Sequence, residues 1–251
     1  MANKEYWDKT WSDFSLTDEE KGPKAGDEYL FPLVMEAVSL LSGEKLVHLE
    51  AGCGIGIWNF LLSRNFPGMT SVGIDVADCI LEVGKYAREK GYPRVYFSRS
   101  DIRGLPFGNG AFSFITCFGV IEHFEDPVLI LKEFQRVLAP GGILFLDTPN
   151  HGLWEHWNRF FPIDEDEAYY SPDELSRIAE KAGLKVIGKK AVGFSNSVMT
   201  PLYHLYDYRP DSLLSRIYHL ILRPLKSFLK LFDPWLDSSL GFYSVIIARK
   251  E

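Results

Sequence analysis

Between residues 46 and 148, short apolar runs rich in branched side chains alternate with stretches whose apolar positions fall three or four apart. The runs are 46–50, 72–75, 95–97, 111–117 and 142–147. Near-continuous apolar strands separated by helical stretches predict a parallel sheet with helices on both faces. Asp126-Pro127 opens a helix to Leu138, with proline in its first turn, and Pro140-Gly141-Gly142 ends it. Ser171, with Glu174 three residues on, is a capping box for a helix that stops at Ala182-Gly183. A sixth strand begins at 184–187, and a last one spans 242–248. Upstream, residues 1–45 read as mainly helical, with an apolar helix over 31–41 and an aromatic segment marked by Tyr6, Trp7 and Trp11.

Two segments break the alternation. Residues 149–170 form an aromatic loop that carries Trp154, Trp157, Phe160, Phe161, Tyr169 and Tyr170. An insertion spans 198–240, in which Leu213, Leu214, Ile217, Leu220, Ile221, Leu225, Phe228 and Leu229 recur at helical period. Arg216, His219, Arg223, Lys226 and Lys230 form a basic stripe beside them, and Pro224 is expected to break the run into two helices. The apolar stripe must bury against the domain, a partner subunit or a lipid surface. A lid or dimer contact ranks first, because Asp211, Asp233 and Asp237 oppose an anionic surface.

Composition narrows the class. At 251 residues with 46% hydrophobic content, the chain builds one large domain with a substantial core. A net charge of −7 excludes a broad basic footprint for nucleic acid. Cys53, Cys79 and Cys117 lack metal-ligand spacing, so no metal is expected. Their odd number, without a leader-like start, suggests reduced thiols in a cytoplasmic protein.

The chemistry concentrates at Glu50-Ala51-Gly52-Cys53-Gly54-Ile55-Gly56. Strand, glycine turn and helix bring backbone N–H groups to a ligand. Glu50 at the strand end repels pyrophosphate but attracts a cation, so the ligand is a nucleoside with positive charge, as S-adenosylmethionine is. Asp75 and Asp101 recur at later strand ends, which share one edge of a parallel sheet. The dinucleotide fingerprint G-x-G-x-x-G is missing, with Ile57 in its last place.

With Gly73-Ile74-Asp75, Asp101 followed by Leu105-Pro106-Phe107, residues 119–127 and residues 134–142, this segment resembles the class I S-adenosylmethionine-dependent methyltransferase domain. The resemblance runs from about His48 to Phe145 and is nearest the small-molecule methyltransferases of ubiquinone and menaquinone biosynthesis. It implies a Rossmann-like, doubly wound sheet of seven strands, mostly parallel, with an antiparallel last strand and a helical insertion before it. One domain then divides into a helical cap (1–45), a cofactor core (46–148), the aromatic loop and the insertion. The resemblance places Glu50 at the methionine end of the cofactor, Gly52, Gly54 and Gly56 alongside, and Asp75 with Val76 at the ribose. Asp101 and Ile102 fall at the adenine, and Phe118 and Gly119 where donor and acceptor meet.

His123 is the candidate base for a hydroxyl acceptor, with Glu122 as its partner; the alternative is a packed or capping histidine. His48 reads as a core residue, and His151 and His156 as loop or pocket residues. Tyr86-x-x-x-Lys90 mimics a dehydrogenase pair but falls too early in the chain, so it reads as helix surface. The function expected is methylation of a small acceptor, at oxygen, with an aromatic, sugar or lipid-borne acceptor facing the aromatic loop. The competing readings are a noncatalytic S-adenosylmethionine-binding protein and a nicotinamide-dependent oxidoreductase. Oligomeric state is not readable.

Overall fold

A computed structural model describes residues 4–12, 27–43, 45–151, 168–195 and 223–251. Seven strands form one sheet: β1 (Val47–Ala51), β2 (Thr70–Asp75), β3 (Val95–Arg99), β4 (Phe112–Phe118), β5 (Leu138–Pro149), β6 (Lys185–Val192) and β7 (Tyr243–Arg249). The helices are α1 (Lys4–Ser12), α2 (Asp27–Ser39), α3 (Ile57–Asn65), α4 (Cys79–Glu89), α5 (Pro127–Val137), α6 (Pro172–Lys181), α7 (Arg223–Leu229) and α8 (Asp233–Leu240). The strand order is β3-β2-β1-β4-β5-β7-β6. β7 inserts antiparallel between β5 and β6, and the other strand pairs are parallel. Chain order reverses between β1 and β4, which places a ligand crevice at their carboxyl ends.

Both faces of the sheet are covered. Leu131 and Phe134 of α5 and Leu175 of α6 pack with Ile115, Leu144 and Ile246. On the other face Val34 of α2 and Trp58 and Leu62 of α3 pack with Phe114, Phe145 and Ile247. The helix starts follow their caps. Asp126 accepts from the N–H groups of Val128 and Leu129 at α5, and Ser171 with Glu174 completes a capping box at α6. His48 lies wholly inside, as the strand pattern required. Its Nδ1 and Nε2 are each 2.8 Å from a hydroxyl, Ser71 Oγ on β2 and Thr116 Oγ1 on β4. Asn59 Nδ2 donates to the same Ser71 oxygen at 2.9 Å. Burial depresses the His48 pKa to about 3, so the ring is neutral.

Some boundaries differ from the sequence reading. β5 starts at Leu138, directly after α5, because Leu138 pairs with Phe112 and a bulge absorbs the residues before Ile143. Pro140-Gly141-Gly142 therefore bends a strand and does not close a helix. β6 runs on to Val192 as an edge strand with Lys185, Lys189 and Lys190 exposed. Pro224 lies in the first turn of α7, where proline is tolerated. Of the expected basic stripe, Arg216 and His219 lie outside the described residues, as do Asp211, His156 and the loop from Trp154 to Phe161. Asp233 and Asp237 are buried and do not oppose anything at the surface. Asp237 Oδ1 accepts from Phe194 N–H (2.8 Å) and Asp233 Oδ1 from Ser195 N–H (2.7 Å). Lys226, assigned to the basic stripe, is buried as well.

Candidate active site

The carboxyl ends of β1, β2 and β4 open onto a cavity of about 600 Å³, within the range that holds small ligands. Gly52, the first glycine of the turn, lines it. Its φ of 78° is left-handed, and a Cβ there would lie 2.5 Å from the Val120 side chain. Gly54 lies one step beneath the wall. A Cβ on it would stand 2.3 Å from the Trp11 ring, so glycine lets α1 rest on the turn. Gly56, also left-handed, leads into α3 and is buried behind the turn.

Glu50 is buried and does not line the cavity. Its Oε2 accepts from Asn59 N–H at 3.0 Å, which ties the end of β1 to the first turn of α3. Asp75 does line the cavity, beside Val76. Gly54 N–H donates to Asp75 Oδ2 (2.8 Å) and Ala77 N–H to Oδ1 (2.9 Å). Val76 N–H bonds the same carboxylate, which offers about four acceptor positions, so capacity for a further donor remains. Burial pushes this carboxyl above the usual range, and the N–H groups of Ala77, Gly54 and Val76 pull it down.

Asp101 and Ile102 form the next stretch of wall. Arg103 Nε stands 3.0 Å from both Asp101 oxygens, and this guanidinium holds the carboxyl below its ordinary value. That partner was missed, because an arginine two residues on is read as surface until the turn after β3 folds back. At the other end the wall is apolar: Phe118, Gly119, Val120 and Phe124, with His123 among them. His123 ends the 3-10 turn Ile121–His123, and its ring meets the edge of Trp7 with centroids 4.9 Å apart. Phe118 stacks on Trp58 at 4.5 Å. Glu122 is buried below this wall, with Oε1 3.4 Å from where a Gly119 Cβ would be.

The roof was only half legible. Lys4, Trp7 and Trp11 of α1 line the cavity, and their spacing of three and four places them on one helix face. Lys4 Nζ pairs with Asp8 (2.6 Å) and Asp78 (2.7 Å), while Asp78 N–H donates to Asp8 Oδ1 (2.7 Å). Arg99 closes the clasp on Asp78 at 2.6 Å. These hydrogen bonds raise the Lys4 pKa and lower those of Asp8 and Asp78.

Other candidates fall elsewhere. His151 Nε2 lies 3.5 Å from Glu174 and is not part of the wall. Lys90 sits over the Tyr86 ring at the end of α4, a helix surface as expected. Cys53 and Cys117 are buried, and burial raises both thiols. Among the described residues no three His, Cys, Asp or Glu side chains gather as a metal site. None of them forms a helix long and apolar enough to cross a membrane.

Comparison with known proteins decides the class. The profile of a family described as "Methyltransferase domain" matches residues 26–189, more than half of the chain. This chain belongs to the methyltransferase domain family. The methyltransferase is 29% identical over 183 residues to the ubiquinone biosynthesis O-methyltransferase of Methylococcus capsulatus, covering 68% of this chain and 75% of that one. Among solved structures it resembles the PH0226 protein of Pyrococcus horikoshii, with a TM-score of 0.65, 18% identity and full coverage of both chains. It also resembles geranyl diphosphate C-methyltransferase of Streptomyces coelicolor, solved with S-adenosyl-L-homocysteine. There the TM-score is 0.58 and identity 19%, covering 87% of this chain and 79% of that one. These two likenesses concern the fold. The methyltransferase is an S-adenosylmethionine-dependent enzyme by its class, and the oxidoreductase and noncatalytic readings are not favoured.

Proposed function

We propose that this methyltransferase transfers a methyl group to a hydroxyl of a small acceptor with an aromatic or otherwise apolar face. The observation that carries the reading is His123, the imidazole set in an otherwise apolar end of the cavity wall. S-adenosylmethionine supplies an activated methyl carbon on a good leaving group, so positioning provides much of the rate. The chain's residues do the rest. Asp75 accepts from the ribose hydroxyls with its remaining oxygen capacity, and Val76 packs beside it. Asp101 receives the adenine amino group and Ile102 packs on the ring. Gly52 admits the methionine backbone without a Cβ in the way, and Glu50 sets a negative field behind it. Gly54 and Gly56 shape the turn.

At the acceptor end Phe118 and Gly119 bound the space, and Trp7 holds the His123 ring by its edge. His123 takes the acceptor's proton as oxygen bonds to carbon, with Glu122 shaping the turn beneath it. The printed name of the Methylococcus relative supports oxygen as the acceptor atom. The clasp from Lys4 to Asp78 keeps α1 as a cap, in line with residues 1–45 acting as the roof of a single domain.

Replacing His123 with alanine is expected to lower kcat about 10²- to 10⁴-fold on a phenolic acceptor and to leave cofactor affinity within about threefold. Single-turnover kinetics beside calorimetry check this. Native turnover by the variant would remove the base assignment. Failure of the wild-type chain to bind S-adenosylmethionine would remove the site.

A further inference from the structure

Past the catalytic crevice, the run 223–240 carries an apolar ridge that the methyl-transfer reading does not use. Leu225, Phe228, Leu231 and Trp235 follow one another at steps of three, three and four, which aligns them on one side of α7, the turn Lys230–Phe232 and α8. Trp235 is 77% exposed, Leu231 69% and Phe228 57%. Single exposed apolar residues are ordinary, but four in register mark a contact surface.

The opposite side of the run already has its partner. Lys226, Asp233 and Asp237 are buried, and the two aspartates receive Phe194 and Ser195 N–H groups. Those aspartates are the only acids in residues 223–240, so the ridge presents no carboxylate although the chain carries a net charge of −7. Its neighbouring cations are Lys230, whose ammonium lies 5.5 Å over the Tyr29 ring, and exposed Lys190 on β6.

We propose that this face rests on an anionic lipid surface, with Trp235, Leu231 and Phe228 at headgroup depth and Lys190 and Lys230 toward the lipid phosphates. Tryptophan, phenylalanine and leucine beside lysine, with the acids hidden, are the pattern of an interfacial helix. A second copy of the chain fits the ridge less well. A stable dimer engages about 20–30 residues on each side, and a row of four is narrow for that. The proposal is independent of the methyl-transfer reading.

The test is co-sedimentation of the full chain with vesicles of phosphatidylcholine alone or with one quarter phosphatidylglycerol. The wild type is expected to partition onto the anionic vesicles. Leu231→Glu and Trp235→Glu are each expected to lower that partition tenfold or more. Both positions are exposed, so melting temperatures should hold. Leu81→Glu, at a 61% exposed position on α4, should bind like the wild type. No partition of the wild type would overturn the proposal, as would binding that the ridge variants leave unchanged or equal binding to both vesicles. A wild-type dimer in light scattering that Trp235→Glu converts to monomer would assign the ridge to a second copy instead.

Discussion

Asp75 serves the fold and the proposed ribose site with the same two oxygens. It holds Gly54 and Ala77 N–H groups and lines the cavity, so it shapes the glycine turn and keeps acceptor capacity for a ligand. Asp75→Ala should weaken S-adenosylmethionine binding by about 2–3 kcal/mol, roughly 30- to 150-fold. Calorimetry on a folded variant checks it, and an unchanged affinity would free Asp75 from the role. His48 is a different kind of residue, a neutral imidazole sealed between two hydroxyls. Its folded pKa is about 3, against an ordinary 6.5. Between those values the unfolded chain takes up a proton that the folded chain refuses. The stability contribution is therefore complete above pH 6.5 and lost as pH falls toward 3. From pH 7 to 5 the loss amounts to about 2 kcal/mol for this group. Urea unfolding of the wild type and His48→Gln at both pH values tests the difference. Parallel pH slopes would show that His48 does not couple to acid denaturation.

Elements differ in how openly the sequence announces them. β1, β2 and β4 were legible because each is a short run with apolar side chains on both faces, and the turn after β1 has to be glycine. That Gly52, Asp75, Asp101 and Gly119 line one cavity was legible too, since strand ends of a parallel sheet share an edge. The start of β5 was not, because Pro140-Gly141-Gly142 marks a helix stop as readily as a bulge. Lys189 and Lys190 hid the length of β6, an edge strand that needs no second apolar face. Arg103 and Lys4 escaped notice because their carboxylate partners are met only after folding. The same holds for α8, whose aspartates looked like surface charge. Asp237→Ala should leave Phe194 N–H buried without its acceptor, at about 1–3 kcal/mol of stability. The urea midpoint should fall while S-adenosylmethionine affinity holds. A drop in affinity equal to that of Asp75→Ala would tie α8 to the cofactor site instead.

The described strands form one sheet, so the cavity at its carboxyl edge and the strands that carry α8 belong to one framework. Saturation with S-adenosylmethionine at 100 times its Kd should add about 2.7 kcal/mol, raising Tm by roughly 5–10 °C for a chain of this size. Calorimetric scans with and without ligand check the shift, and two separate transitions would break the one-framework description. The insertion of β7 between β5 and β6 has a consequence for synthesis. β3, β2, β1, β4 and β5 complete their pairings with one another while the chain is still being made. β6 has no neighbour until β7 emerges, and the free edge of β5 waits with it. On the ribosome, at about 5–20 residues per second, the nascent protein holds two unpaired sheet edges for as long as the insertion takes to translate. The crevice can form before that gap closes, so a nascent chain has a route to capture its ligand ahead of its final strand.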